Sequence, residues 1–146
     1  VAREKAEWPK IRGSGMMRIQ ILRVLVGYVR GQLAALNRAV PAGEVTKLAK
    51  LLEGEGITWA MGLGRLLHAA AAARDGRVAD ALEHLDEGAK LLEQGGAHTH
   101  AVAARHAAWE LRGALGSPDE AQGWYSARGV KRPARFARAF FALPGR

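Results

Sequence analysis

Large aliphatic and aromatic residues recur along this chain at three- and four-residue steps, and glycine or proline interrupts the pattern between runs. That period belongs to helices with one apolar face, and strand-like alternation is absent. The first run predicts a helix over residues 14–37, with Leu22, Leu25, Val29, Leu33 and Leu36 forming the stripe expected to face a core. Gly27, Gly31 and Ala35 repeat every four residues on another face of the same helix. They would admit a neighbouring helix at close range, at about 1 kcal/mol of helix propensity per glycine.

Further helices are predicted over 44–53 with Val45, Leu48 and Leu52 inward, and over 58–74 with Trp59, Leu63, Leu66, Leu67 and Ala70 inward. Residues 77–94 give the clearest amphipathic pattern: Val78, Ala81, Leu82, Leu85, Ala89 and Leu92 oppose Asp80, Glu83, Glu87 and Lys90. An alanine-rich helix follows over 99–115. Ser117-Pro118-Asp119-Glu120 then combines a capping serine, a first-turn proline and a capping-box glutamate at the start of a sixth helix. Pro133 opens a capping helix over about 133–142, its Phe136, Phe140 and Leu143 expected to seal the end of the array. Residues 1–13 read as a lead-in and residues 14–146 as one domain. The expected class is all-α, a right-handed helical-repeat solenoid of about six or seven antiparallel helices.

Self-similarity supports the repeat. The segment from Gly43 aligns with that from Gly76 at an offset of 33, the segment from Gly116 follows at 40, and Ala81 and Leu85 then match Ala121 and Tyr125. Units of this length, each a helix pair broken by glycine, bury their apolar faces on their neighbours. Gly76, Ala81, Leu85 and Gly88 resemble the small-large-small pattern of tetratricopeptide repeats, although the Trp-Leu-Gly-Tyr signature of the first repeat helix is missing. With the helix starting Met16-Met-Arg-Ile-Gln-Ile-Leu-Arg and the ending Ala127-Arg-Gly-Val-Lys-Arg-Pro-Ala-Arg-Phe, most of the chain resembles the C-terminal tetratricopeptide-like region of large bacterial, myxobacterial-type serine/threonine kinases and related ATPase regulators. The resemblance implies a sensing or docking arm whose kinase or ATPase domain lies upstream. The start, Val-Ala-Arg-Glu-Lys, has neither an initiator methionine nor a signal-peptide pattern and reads as a piece of something longer.

Charge adds a second theme. Residues 1–38 carry eight Lys/Arg against two Glu, residues 39–127 eight against twelve acids, and residues 128–146 six against none. Basic ends around an acidic middle suit an acidic protein, nucleic acid or an anionic membrane. Arg132, Arg135 and Arg138 are the candidate contacts to an anionic surface. The helix that bears them offers phosphates a basic face but bears little that would read base edges.

Catalytic chemistry is harder to place. The kinase signatures and the phosphate-loop pattern are missing, and Gly13-Ser-Gly15 and Gly62-Leu-Gly64 read as turn or packing glycines. Without cysteine, and with His98 and His100 on different sides of a helix, no metal or cofactor site is expected. Trp59, Trp109, Trp124 and Tyr125 are the candidate partner-binding residues, since solenoids hold ligands with exposed aromatic anchors. The expected function is therefore non-catalytic: a cytoplasmic segment that binds a protein or peptide, or other domains of its own parent chain, and transmits a signal. The alternative is a nucleic-acid-binding domain working through its basic ends. No apolar run is long enough to span a membrane.

Overall fold

The computed structural model describes residues 2–13, 15, 18–113 and 120–144. Among these are eight helices and no strand: α1 Ala2–Gly13, α2 Gln20–Leu36, α3 Ala42–Glu53, α4 Thr58–Arg74, α5 Val78–Gln94, α6 His98–Leu111, α7 Glu120–Ser126 and α8 Pro133–Phe140. The all-α expectation holds, and the predicted bounds of α3 to α5 lie within two residues of those observed. Helix α1 was not anticipated, because Pro9 lies inside it and its apolar pattern is weak. The Ser117 capping box and Gly116 fall outside the described residues.

Successive helices pack on one another from α2 to α8, and α4 is flanked by α2, α3 and α5. The returns are set by glycine. Gly76, Gly96 and Gly129 have φ of 76°, 77° and 75°, a conformation that costs other residues energy. At each, the glycine N–H and the following N–H donate to carbonyls of the last helical turn, as in Arg77 to Ala72 at 2.9 Å and Ala97 to Leu92 at 2.7 Å. These paired bonds satisfy the orphan carbonyls of a helix end, and at Gly76 and Gly96 only three residues separate one helix from the next.

Burial repeats at the offset of 40: Val45, Leu85 and Tyr125 are all fully covered, and Ala81 and Ala121 are buried alike. The offset of 33 is followed in part: Leu52 and Leu85 are both buried, but Val45 is covered where Val78 is exposed. Gly43 lies in the first turn of α3 without a left-handed backbone, whereas Gly76 makes a turn. The turn glycines that correspond are Gly56 and Gly96.

The largest correction concerns α2. Its buried face is Val24, Tyr28, Gly31 and Ala35, while Leu25, Val29, Leu33 and Leu36 are exposed. The predicted core stripe is thus the outer one. The reason is distance: a Cβ added to Gly31 would lie 2.2 Å from Cδ1 of Leu67, and one on Gly27 would lie 3.1 Å from Cδ2 of Leu52. The glycine face lets α2 settle against α3 and α4 closer than a leucine face could. Arg74, at the end of α4, then donates to the carbonyls of Ala34, Asn37, Arg38 and Val40, neutralising the negative end of α2. Val78 is likewise exposed rather than inward.

Gly31→Val should therefore lower stability by about 1–3 kcal/mol through overpacking against the fully buried Leu67. Val29→Ser, on the former core stripe, should change it by no more than about 0.5 kcal/mol. Urea titration of the two variants checks the facing, and the opposite ranking would reverse it.

Candidate functional site

The predicted aromatic residues do not form one patch. Trp59 is half-buried where α5 turns into α6, its backbone so close to Gly95 that a Cβ there would lie 2.7 Å away. Trp109 on α6 stacks on His106 at 5.8 Å between centroids, and its indole nitrogen is buried without an acceptor among the described residues. Trp124 lies under the Arg128 guanidinium at 3.7 Å and meets Tyr125 edge-on at 5.2 Å. Tyr125 itself is fully buried, its hydroxyl donating to the Thr99 carbonyl at 3.1 Å. Only Trp124 and Tyr125 of the four touch through their rings.

Tyr125 belongs instead to a continuous run of ring contacts. Phe136 of α8 meets Tyr125 at 5.4 Å and Phe140 at 5.1 Å; His100 of α6 meets Phe140 at 5.1 Å and Tyr28 of α2 at 5.7 Å. The run ties the end of the chain back to α2. Phe136 remains 40% exposed, so the face of α8 that seals is that of Ala137, followed by Phe141 and Leu143 in the extended segment beyond. Leu143 seals as expected, but from outside the helix, which ends at Phe140. Sequence reading passed over Tyr28 and Phe141 and weighed His100 only as a metal ligand, because none lies on a stripe that the helical period marks as a site.

The three terminal arginines border one shallow concavity of about 470 Å³ with Gln122 and Pro133. They differ in their bonds. Arg138 is ion-paired to Glu110, whose side chain is mostly covered and whose Oε1 lies 3.6 Å from His106 Nε2. Arg132 and Arg135 are exposed.

A second polar cluster lies across α3, α4 and α5. Arg65 is 3.2 Å from Glu87 and 3.6 Å from Glu53, while His68 is 3.6 Å from Glu53 and stacks on His84 at 5.3 Å. Burial, then His68 and Arg65, push the His84 pKa below the usual histidine value, with Glu87 and Glu83 opposing; burial does the same to His100. Among the described residues, no three His, Asp or Glu converge as metal ligands, and no helix is long and apolar enough to cross a membrane.

The stripe that the helical period assigned to the core is exposed apart from Leu22, and Ile21 extends it. Ile21, Leu25, Val29, Leu33 and Leu36 run down α2, each between 36% and 55% exposed. Trp8 and Ile11 of α1 join Leu25, Val26, Val29 and Leu33 around a cavity of about 270 Å³, with Arg30 at 3.7 Å over the Trp8 ring. No family model, curated protein or solved structure matches the chain.

Two outcomes follow from the charged groups. Arg138→Gln should cost about 1 kcal/mol by removing a charged hydrogen bond to the mostly covered Glu110 carboxylate, whereas Arg132→Gln and Arg135→Gln should each stay within about 0.5 kcal/mol in thermal or urea melts. In the unfolded chain, both shifted histidines take up a proton as pH falls through about 6.5, while the folded chain resists. Stability should therefore decline from pH 7 toward pH 5. The His84→Gln/His100→Gln double variant should flatten that slope in urea titrations.

Proposed function

We propose that this chain is a non-catalytic helical-repeat module, tetratricopeptide-like in organisation, that binds protein. The observation that carries the reading is the aliphatic stripe of α2. Solvent-exposed apolar residues scattered singly need no explanation, but five at helical spacing beside a tryptophan-lined cavity have the form of a helix-docking or peptide-docking face. The 40-residue recurrence of buried positions supports the repeat, since stacked helix pairs leave an apolar face open at the end of an array. The resemblance to the terminal regions of bacterial signalling kinases and ATPase regulators extends the proposal to a cytoplasmic, signal-transmitting arm of such a protein.

The nucleic-acid reading draws its support from Arg132 and Arg135, which are exposed and share their concavity with Arg138. It is the weaker one because Arg138 is committed to Glu110, leaving fewer cations for phosphates.

Photo-crosslinking separates the two. A benzophenone side chain at Val29 should capture a discrete protein in cells of the source organism, while the same group at the exposed, polar Glu83 should not. If Val29 yields nothing above the Glu83 control and the Arg132→Gln/Arg135→Gln variant loses salt-dependent retention on duplex DNA, the nucleic-acid reading replaces this one.

A further inference from the structure

The apolar stripe of α2 lies in a part of the chain whose charge has one sign. Residues 8–43 hold six Lys/Arg and no Asp or Glu. Arg18 precedes the first turn of α2 and Arg38 follows its last, both exposed, while Arg30 lies on the flank and stacks over Trp8 at 3.7 Å. Glu55 and Glu7, which reach these residues from outside that run, are engaged: Glu55 accepts from Arg23 and Gln20, and Glu7 pairs with Lys10 at 3.2 Å. Even the negative end of the helix is covered, since the Arg74 guanidinium donates to its last carbonyls.

From Ile21 to Leu36 the stripe covers about four turns, or about 22 Å along the axis. Trp8 and Ile11 of α1 wall one side of it, so that Leu25, Val26, Val29 and Leu33 border a groove rather than a ridge. That shape bears on the occupant. A membrane-bound helix sinks its apolar face about 5–10 Å into the headgroup boundary, and a wall standing beside the face obstructs this. An extended peptide is a poor match as well, because the N–H and C=O groups of α2 are bonded within the helix and would leave those of the peptide unserved. A helix brings its own backbone groups already paired. Two copies of this face would set Arg18, Arg30 and Arg38 against the same cations with no acid between them, which charge opposes.

We infer that the outer face of α2 is a docking groove for one amphipathic helix of a partner protein, about four turns long, whose apolar stripe is bordered by Asp and Glu. Its aliphatic side chains cover the stripe and enter the cavity beside Trp8, and its carboxylates face Arg18, Arg30 and Arg38. The inference rests on the reading of the chain as a protein-binding module and names the chemistry of the partner.

The two parts of the face have different tasks. Burial of the stripe supplies affinity, in the manner of an amphipathic helix laid into an apolar groove. The cations supply choice: a rim ion pair adds little by itself, but a like charge set opposite one is penalised and the field of the rim steers the approach. Contact with the Trp8 ring holds the Arg30 guanidinium at the groove wall, so an arriving carboxylate meets a charge already in place.

The test uses the full chain and two fluorescein-labelled peptides, each about four turns long and stapled as a helix, with leucines at three- and four-residue steps. One carries Glu at its remaining positions and the other Lys. Fluorescence anisotropy at low salt should show saturable binding of the Glu peptide and about tenfold weaker binding of the Lys peptide, a gap that narrows as salt screens the rim. Val29→Glu, at a position 55% exposed, should leave the helical circular dichroism unchanged and weaken binding of the Glu peptide about tenfold; Val29→Ser replaces it should the glutamate variant unfold. Arg18→Glu/Arg38→Glu, at exposed positions outside the helix, should bring the two peptides within about threefold of each other. Equal binding of the two peptides by the unaltered chain, a preference for Lys, or no saturable binding overturns the inference. So does a dimer in sedimentation equilibrium that the Val29 variant dissociates, which gives the face to a second copy, and so does retention on phosphatidylserine vesicles that the same variant abolishes, which gives it to a membrane. A protein adduct at Val29 in cells without Glu-peptide binding removes the acidic helix alone, whereas the absence of both removes the protein-binding reading with it.

Discussion

Close approach of helix backbones at glycine and alanine is the constraint on which the other features depend. A Cβ on Gly62 would lie 2.7 Å from Leu92 Cγ and 3.0 Å from its backbone nitrogen, and one on Gly64 would lie 2.9 Å from the Ala49 carbonyl oxygen. Gly88 repeats the theme against Leu66 and the Gly62 carbonyl. Helix α4, buried on almost every side, is therefore held by neighbours that come nearer than ordinary side chains permit. Each glycine lowers helix propensity by about 1 kcal/mol, and dense packing along the whole contact offsets it. Small residues at the contacts also mean that few large side chains are needed inside. The aliphatic residues of α2 are consequently left outside.

That balance explains which parts of the fold were legible in the sequence. Helices α3 to α5 were readable because one face of each is large and apolar and the turns between them carry glycines whose positive φ the chain needs. The facing of α2 was not, because two stripes of helical spacing compete on it. Leu25, Val29 and Leu33 are the more hydrophobic set, yet Gly31 and Ala35 are the set α4 can approach. A sequence displays hydrophobicity directly, while complementarity to Leu67 depends on where another helix lies. The glycines were recognised as a packing face, and the missing step was that this face excludes the other from the core.

The candidate site follows the same division. Four aromatic residues were singled out because large rings make good anchors, but only contact geometry separates Tyr125, sealed in the core, from Trp124, half-open beneath Arg128. The terminal arginines were legible as a basic cluster. That Arg138 is spent on Glu110 was not, since the two are 28 residues apart and meet only when α8 docks on α6.

The end of the chain shows why a cap and a ligand are hard to tell apart in an array of helices. A cap must bury apolar side chains and satisfy local backbone groups, and a bound peptide must do the same. Gln32 holds the Ala142 N–H with its oxygen and leaves its nitrogen buried and unpaired. An unmet buried donor does not separate them, because the Trp109 indole nitrogen on α6 is buried without an acceptor among the described residues as well. What does bear on the role is that Phe141 and Leu143 are buried in the same core as α4 to α6, so the end of the chain closes that core.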